Sequence, residues 1–526
     1  MTDPVWKVLV DLNGDGDFSD ASEDITSAVV SVDWQLGFID ALDVISRDET
    51  CKLVVDNSDQ RFSPDSVSAL AGLKPGTHLR ITVSHDAISD QQMFNTRILS
   101  IDTDPDSFGS RMTTIKTEGY MKRAGREEVS IPVQLGKRCD EIVETLLSFS
   151  TVQPQVVPGY WQLGVSGKSE LGQTTTLGQI TGGSILTAQQ GSRIFAFAGD
   201  NWVSGVTLRR ALTDIVGREY GKLWITREGS LKLVNRYNFI EDYVVDETIT
   251  EDMIVGMPYS FGSKLINTVT ARSQPRTVGS SPETLATIDN SIEIPAGMSK
   301  EVSLVLKTTS EGARISGQDF IVPIPATDYT VNTESNGTGI DVTTEVSCEL
   351  ISAGASQVKL RFINSYNQIV YVQPGSGIRG TKITRWSEII SKITNEDSVY
   401  LYHRAEYSFP YIQDNERDAR GMAEYISDSL GEPIGIVQGI DLNPRQSDAL
   451  TQIVLNNPIG NRIALSEAQT NVGGEWFIIG EKHSLTDGTY KWSMSYILMS
   501  ADVNRYWLLG VSGYGELGET TWLGPL

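Results

Sequence analysis

The chain has 526 residues, of which 67 are acidic and 43 are basic, so its formal net charge is -24. This length predicts about three to five domains, each long enough to bury a core of its own. The acidity argues against nucleic-acid binding through a basic face. The three cysteines, Cys51, Cys139 and Cys348, are too few and too widely spaced for a disulfide framework or a zinc site.

The sequence predicts neither a membrane-spanning segment nor a secretion signal. No apolar run approaches the ~20 residues that a bilayer span needs. The N-terminus lacks the basic and apolar regions of a signal peptide. We therefore expect the chain to be made and folded in a cytoplasm.

Residues 1–120 carry the alternation of apolar and polar residues that is typical of short strands. The predicted strands are 6–10, a segment within 25–34, 50–55, 79–83 and 97–101. Regularly spaced strands of this kind favour a barrel-like or sandwich domain.

An Asp-rich loop follows the first predicted strand. Its oxygen ligands at positions 1, 3 and 5, with Gly16 at position 6, match the start of a calcium loop, but position 12 is Ser22. One interpretation is a hairpin-type calcium site. The other is a turn whose carboxylates bind their own backbone. The candidate metal ligands are Asp11, Asn13, Asp15, Asp17 and Glu23.

Residues 121–284 predict a mixed α+β domain. Apolar stripes indicate helices at 138–148 and 206–216. The segments 223–226 and 231–234 predict a hairpin. A Gly- and Thr-rich insertion occupies about residues 150–195.

One segment occurs twice, at 161–178 and 507–524, with 13 of 18 positions identical. Each copy contains Leu followed by Gly three times, and glycine permits tight turns and close backbone approach. The copies are either docking arms that fill pockets on a neighbour or exposed turns that pack on their own domain. The candidate interaction residues are Trp161, Leu163, Leu171, Leu177, Trp507, Leu509, Leu517, Trp522 and Leu523.

The second half of the chain predicts two further domains. Residues 285–385 have the strand alternation of a small β-sandwich. Residues 386–500 contain a predicted helix near 414–430, with Asp414 as its N-cap, and we expect strands to resume at Ile453. Residues 501–526 form the second candidate arm.

No catalytic constellation stands out, so we predict that the chain is not an enzyme and, calcium apart, needs no cofactor. The four histidines form no metal-ligand motif, there is no Gly-x-Ser-x-Gly elbow, and no pair of carboxylates is singled out.

Several stretches together resemble the hub proteins of bacteriophage tail tips or baseplates. Residues 53–64 are Leu-Val-Val-Asp-Asn-Ser-Asp-Gln-Arg-Phe-Ser-Pro, and residues 73–76 are Leu-Lys-Pro-Gly, before a strand at 79–81. The two Leu-Gly repeats are also similar to those of related tail proteins. Further similar stretches are 6–24, 198–202, 328–343, 410–414 and 477–483.

The resemblance implies a homotrimer in which two barrel-like hub domains per subunit form a pseudo-hexameric ring. The ring would contact the tail tube or distal tail protein, the tape measure protein, and tip or fibre proteins. DNA would only pass through its channel. The acidic side chains then either line that channel or simply keep a large protein soluble. The chain would be a virion protein, assembled in the host cytoplasm.

The predicted fold is thus mainly β with α+β parts and several domains. These are an N-terminal hub domain (1–120), a mixed domain (121–284), an inserted β-sandwich (285–385), a C-terminal hub domain (386–500) and a docking arm (501–526). One alternative function is binding of host-surface carbohydrate through Tyr329, Tyr366 and Tyr371 of the sandwich. A tail-associated cell-wall hydrolase is the less favoured alternative.

Overall fold

The computed structural model describes residues 3–104, 111–154, 185–202, 206–241, 244–306, 315–469 and 471–501. It confirms the predicted mainly β fold with several sheets and a smaller α component. The first part of the chain supplies strands β1 (Val5–Val10), β2 (Val29–Gly37), β3 (Thr50–Asp56), β4 (His78–His85), β5 (Ile88–Thr103) and β6 (Met112–Glu118).

The middle part is mixed. Its helices are α1 (Tyr120–Ala124), α2 (Cys139–Phe149), α3 (Leu208–Glu219) and α4 (Asn238–Glu241). Its strands are β7 (Glu128–Val129), β8 (Gln134–Arg138), β9 (Leu186–Ala188), β10 (Ile194–Ala198), β11 (Val206–Thr207), β12 (Lys222–Ile225) and β13 (Leu231–Val234). They are followed by β14 (Glu247–Thr250), β15 (Ile254–Gly256), β16 (Tyr259–Phe261) and β17 (Thr268–Ser273).

Ten short strands come next, and the last part of the chain combines strands with three helices. The ten are β18 (Arg276–Val278), β19 (Glu283–Thr287), β20 (Ile292–Ile294), β21 (Ser299–Val305), β22 (Ser316–Ile321), β23 (Val331–Asn332), β24 (Val346–Ala353), β25 (Gln357–Asn364), β26 (Val370–Val372) and β27 (Gly377–Arg385). The remaining elements are β28 (Ile389–Thr394), α5 (Glu396–Tyr402), β29 (Glu406–Gln413), α6 (Glu416–Leu430), β30 (Gly435–Val437), β31 (Gly439–Leu442), α7 (Asp448–Asn456), β32 (Arg462–Ser466), β33 (Gly473–Thr486) and β34 (Lys491–Ser500).

The largest sheet has twelve strands and joins the two ends of the chain. Strands β1–β6 form its N-terminal module, in the order β1-β4-β5-β6-β3-β2. Strands β14, β15 and β31–β34 form its C-terminal module. The modules meet at the seam, where Ser31–Gly37 of β2 pairs antiparallel with Gly480–Thr486 of β33. Among the described residues no pairing joins β1 to β15, so the sheet is open and not a closed barrel.

The two modules share one hydrophobic core. Trp6 of β1 packs edge-on against Trp492 of β34, with ring centroids 4.9 Å apart. Trp34 of β2 stacks on His483 of β33 at 4.7 Å. Such aromatic pairs contribute about 0.5–1.5 kcal/mol each beyond the burial of their area. Because these contacts cross the seam, the modules pack as one body.

The middle part has its own core, built from α2, α3 and the hairpin β12–β13. The hairpin is the one predicted at 223–226 and 231–234. The Thr207 side chain caps α3 by accepting a hydrogen bond from the backbone N–H of Arg210. The ten strands β18–β27 form three small sheets around a third core.

Two local predictions were wrong. The N-cap of α6 is Asn415, whose side chain accepts from the N–H of Asp418, because Asp414 is engaged by an arginine of α3. The strand expected at Ile453 is helix α7. Ser447 caps that helix, and Leu450 and Ile453 lie one turn apart on its buried face.

None of the helices in the described ranges combines the length and the apolar character that crossing a membrane requires.

Candidate functional site

The Asp-rich loop connects β1 to β2, and its two innermost carboxylates bind the loop's own backbone. Buried Asp11 accepts hydrogen bonds from the N–H of Gly14 at 2.7 Å and of Gly16 at 3.3 Å. Buried Glu23 accepts from the N–H of Leu12 at 3.0 Å. Burial raises the pKa of Glu23, partly offset by its backbone hydrogen bonds.

The other candidate ligands of the loop form successive Asx turns. Asn13 accepts from the N–H of Asp15, Asp15 from that of Asp17, and Asp17 from that of Ser19, all at 2.9–3.0 Å. This is the geometry of the turn interpretation. Within the described ranges no three His, Cys, Asp or Glu side chains are grouped so as to hold a metal ion. Calcium binding stays a prediction.

The two candidate docking arms lie outside the described residues. This applies to all nine predicted interaction residues: Trp161, Leu163, Leu171, Leu177, Trp507, Leu509, Leu517, Trp522 and Leu523. The docking role stays a prediction.

A buried ion pair anchors the middle part to the large sheet. Arg227 lies in the turn of the β12–β13 hairpin, and its Nη2 is 2.6 Å from Oε2 of Glu481 on β33. The same guanidinium donates to the carbonyls of Leu455 and Val454 at 2.8 and 3.0 Å. Burial alone would raise the pKa of Glu481, but Arg227 outweighs it and holds that pKa at about 2.

Two further buried arginines connect other parts of the chain. Arg218 of α3 pairs with Asp214 at 2.8 Å and with Asp414, just before α6, at 3.3 Å. Arg276 of β18 pairs with Asp200 at 2.9 Å, and both side chains are fully buried. The second pair docks the β18–β27 unit onto the middle part. Sequence reasoning missed the pairing of Arg218 with Asp414 and that of Arg276 with Asp200, because the partners are far apart in the chain.

A groove of about 600 Å³ crosses the outer face of the large sheet at the seam. Its four basic side chains are Lys52 (β3), Lys116 (β6), Lys122 (α1) and Lys482 (β33), and we call it the lysine groove. The acidic side chain in its wall is Asp33 of β2. The groove therefore has a local positive charge in a chain with a net charge of -24.

Acidic residues neutralise part of the charge in the lysine groove, since Asp33 lies opposite Lys52 on the neighbouring strand and the charge of Lys122 acts on nearby Asp48. Lys116 pairs with Asp102 at 2.7 Å. In the part of the chain that the structure describes, no ion pair within 4.0 Å involves Lys52, Lys122 or Lys482. Lys52 and Lys116 lie directly opposite each other on neighbouring strands, an arrangement that disfavours two like charges. These lysines are far apart in sequence, so no motif indicated the groove.

The sandwich tyrosines that a carbohydrate site would need do not form an exposed platform. Tyr329 is buried, and its hydroxyl donates to the carbonyl of Val346 at 2.6 Å. Tyr366 and Tyr371 are half-buried.

Comparison with known proteins gives structural similarity alone, since no family model and no curated protein matches the chain. The chain is similar to the tail protein from Neisseria meningitidis MC58 (8% identity, TM-score 0.46), over 94% of this chain and 96% of that one. It is similar to the 43 kDa tail protein of prophage MuSo2 from Shewanella oneidensis (8%, 0.46), over 94% and 99%. It is also similar to the prophage tail protein gp18 from Listeria monocytogenes EGD-e (8%, 0.36), over 93% and 94%. All three are tail proteins, the class that the sequence motifs resemble. At this identity no residue role is transferred from them.

Proposed function

We propose that this chain is a structural virion protein, the central hub of a phage tail tip or baseplate. In this proposal it forms a trimeric ring that joins the tail tube to the tip or fibre apparatus and lets DNA pass. The observation that carries the proposal is the division of the large sheet into two six-stranded modules at the seam. A hub with pseudo-six-fold symmetry requires two modules per subunit, and here the two differ in pairing, since β14 and β32 of the C-terminal module pair in parallel.

Three subunits with two modules each present six modules around one axis, while the rest of each subunit keeps three-fold symmetry. Rings of this kind form when head-to-tail contacts close after a fixed rotation. Such a ring matches a six-fold tail tube, or a distal tail protein, on one face and a three-fold tip or fibre on the other.

The two candidate docking arms fit the same symmetry. Each chain carries two copies of the repeat, at 161–178 and 507–524, so a trimer carries six. We infer that they bind a partner with quasi-six-fold symmetry, such as the tube-side ring, the end of the tape measure protein or a ring of fibres.

The charge of the chain is consistent with a conduit for DNA. A surplus of 24 negative charges per chain repels phosphate, so DNA would slide along an acidic wall without binding to it.

A low-resolution electron-microscopy image of the purified protein tests the proposal. We expect a three-fold particle with a central channel and six similar lobes around it. A single extended particle without a channel would contradict the hub.

A further inference from the structure

The lysine groove is built by both modules. Lys52 of β3 and Lys482 of β33 lie on either side of β2, since Asp33 of β2 is opposite Lys52 and Gln35 of β2 is opposite Lys482. Both lysines point to the outer face, because the intervening Trp34 faces the core. A positive groove that spans the seam is placed to bind an anionic surface.

An anionic segment of suitable size lies on the same chain. The Asp-rich loop has four exposed carboxylates within ten residues, Asp15, Asp17, Asp20 and Asp24. Its backbone is held in place by its own Asx turns and by buried Asp11. The loop therefore presents its charges from a defined surface.

The loop and the groove of one chain lie apart. The loop follows β1, the outer strand of the N-terminal module, and β1 is separated from β3 by β4, β5 and β6. The loop packs on β4, where the Arg80 guanidinium lies over the Phe18 ring, and among the described residues no hydrogen bond, ion pair or ring contact joins residues 11–24 to a residue that lines the groove. A contact between loop and groove is therefore a contact between two copies.

We propose that the lysine groove of one subunit receives the Asp-rich loop of the neighbouring subunit. The inference rests on the proposed ring and names the charged contact that closes it. It is a head-to-tail contact between two different surfaces, the kind that generates rings.

Two electrostatic effects favour the Asp-rich loop over DNA as the occupant of the lysine groove. Two copies that each carry a net charge of -24 repel each other, so an interface between them needs local positive charge to oppose that repulsion. In addition, uncovered lysines beside a DNA conduit would retain the DNA. An Asp-rich loop bound in the groove lets the lysines oppose the repulsion between copies and also covers them, so that they do not bind DNA.

The test compares matched charge variants of the full chain by sedimentation equilibrium. The groove variant is Lys52→Glu, Lys116→Glu, Lys482→Glu, and the control is Lys74→Glu, Lys300→Glu, Lys491→Glu. All six lysines are exposed, so both variants should fold, as circular dichroism will verify. We expect the dissociation constant of the trimer to rise about tenfold or more in the groove variant relative to the control.

A second comparison concerns the loop. Asp15→Asn, Asp17→Asn and Asp24→Asn keep the acceptor oxygens of the turns and remove the charge, so this variant should weaken the trimer as well. Adding Ala21→Lys and Ser22→Lys, at exposed positions of the same loop, to this loop variant and combining it with the groove variant should restore association. In the wild type, carbodiimide should link Lys52 or Lys482 of one copy to the loop of another, as mass spectrometry of mixed isotope-labelled copies will reveal.

The outcomes separate this inference from the proposed function. If the groove variant has the same trimer dissociation constant as the control, the proposed contact between the loop and the groove is wrong, whereas the proposed hub function still stands. A wild-type chain that never associates, even at low salt, and gives no cross-link between copies would overturn both. A fluorescent DNA duplex that binds the wild type but not the groove variant, with the trimer mass unaltered, would assign the groove to nucleic acid instead.

Discussion

Arg227 and Glu481 form a buried ion pair that fastens the middle part of the chain to the large sheet beside the seam. Their closest atoms are 2.6 Å apart, and the arginine side chain is 3% exposed and the glutamate fully buried. Arg227, which belongs to the middle part of the chain, also donates to the backbone carbonyl of Leu455 in α7. Three segments of the chain thus meet at one guanidinium.

Breaking this pair should destabilise the sheet strongly. Arg227→Ala leaves the Glu481 carboxylate buried without its cation, and the loss of one partner of a buried pair costs about 3–5 kcal/mol. We expect the free energy of unfolding of the unit that contains the sheet to fall by about that amount in urea titrations. The control is Lys7→Ala in β1 of the same sheet, which breaks an exposed pair with Asp90 and should cost less than about 1 kcal/mol. Equal losses in the two variants would contradict the anchoring role.

Glu49 should make the stability of the protein depend on pH. It is buried, its Oε1 has no hydrogen-bond partner among the described residues, and burial, together with Asp48, raises its pKa from 4.5 to about 8. The folded state keeps this proton while the unfolded state releases it. The stabilisation is therefore present below pH 4.5 and is lost as the pH rises towards 8, by about 1.4 kcal/mol for each unit.

The variant Glu49→Gln stays neutral, so it should remove this slope and be more stable than the wild type at pH 8. Thermal melting between pH 5 and pH 8 measures the effect. Glu345→Gln, at an exposed position, should leave the slope unchanged. If the stability of Glu49→Gln depends on pH as steeply as that of the wild type, another group is responsible for the dependence.

Asp200 should hold the β18–β27 unit in place. In Asp200→Asn the buried Arg276 loses its carboxylate partner, which weakens the docking of the unit by about 3–5 kcal/mol. We expect limited proteolysis to release the β18–β27 unit, residues 276–385, faster than in the wild type. Glu283→Gln, which removes an exposed partner of Lys382, serves as the control. Identical cleavage rates in both variants would argue against docking through Asp200.

Local features of the fold were predictable from sequence, and its long-range pairings were not. The alternation in β2 and the apolar stripe of α6 depend on neighbouring residues, so both elements were found. The pairing of β2 with β33 and the ion pair of Arg227 with Glu481 join residues far apart in the chain. The same distance explains why the N-cap of α6 was misplaced, since Asp414 is occupied by Arg218 from α3.

Removing one arm should impair assembly without unfolding the subunit. Deletion of residues 507–526 spares every strand of the large sheet, the last of which ends at Ser500. We expect an unchanged melting temperature and a strong reduction in complete tails counted by electron microscopy. Trp507→Ala with Leu509→Ala should reproduce the defect, whereas Tyr514→Ala, at a position that differs between the repeats, should not. Normal tails from the deletion would refute the docking role and leave the hub unaffected.

The mass of the purified protein in solution tests the trimeric hub most directly. Light scattering coupled to size-exclusion chromatography, at moderate salt and over a range of concentrations, measures it. We predict a species of three times the 57.7 kDa mass of one chain. A monodisperse monomer across the whole concentration range would contradict the ring.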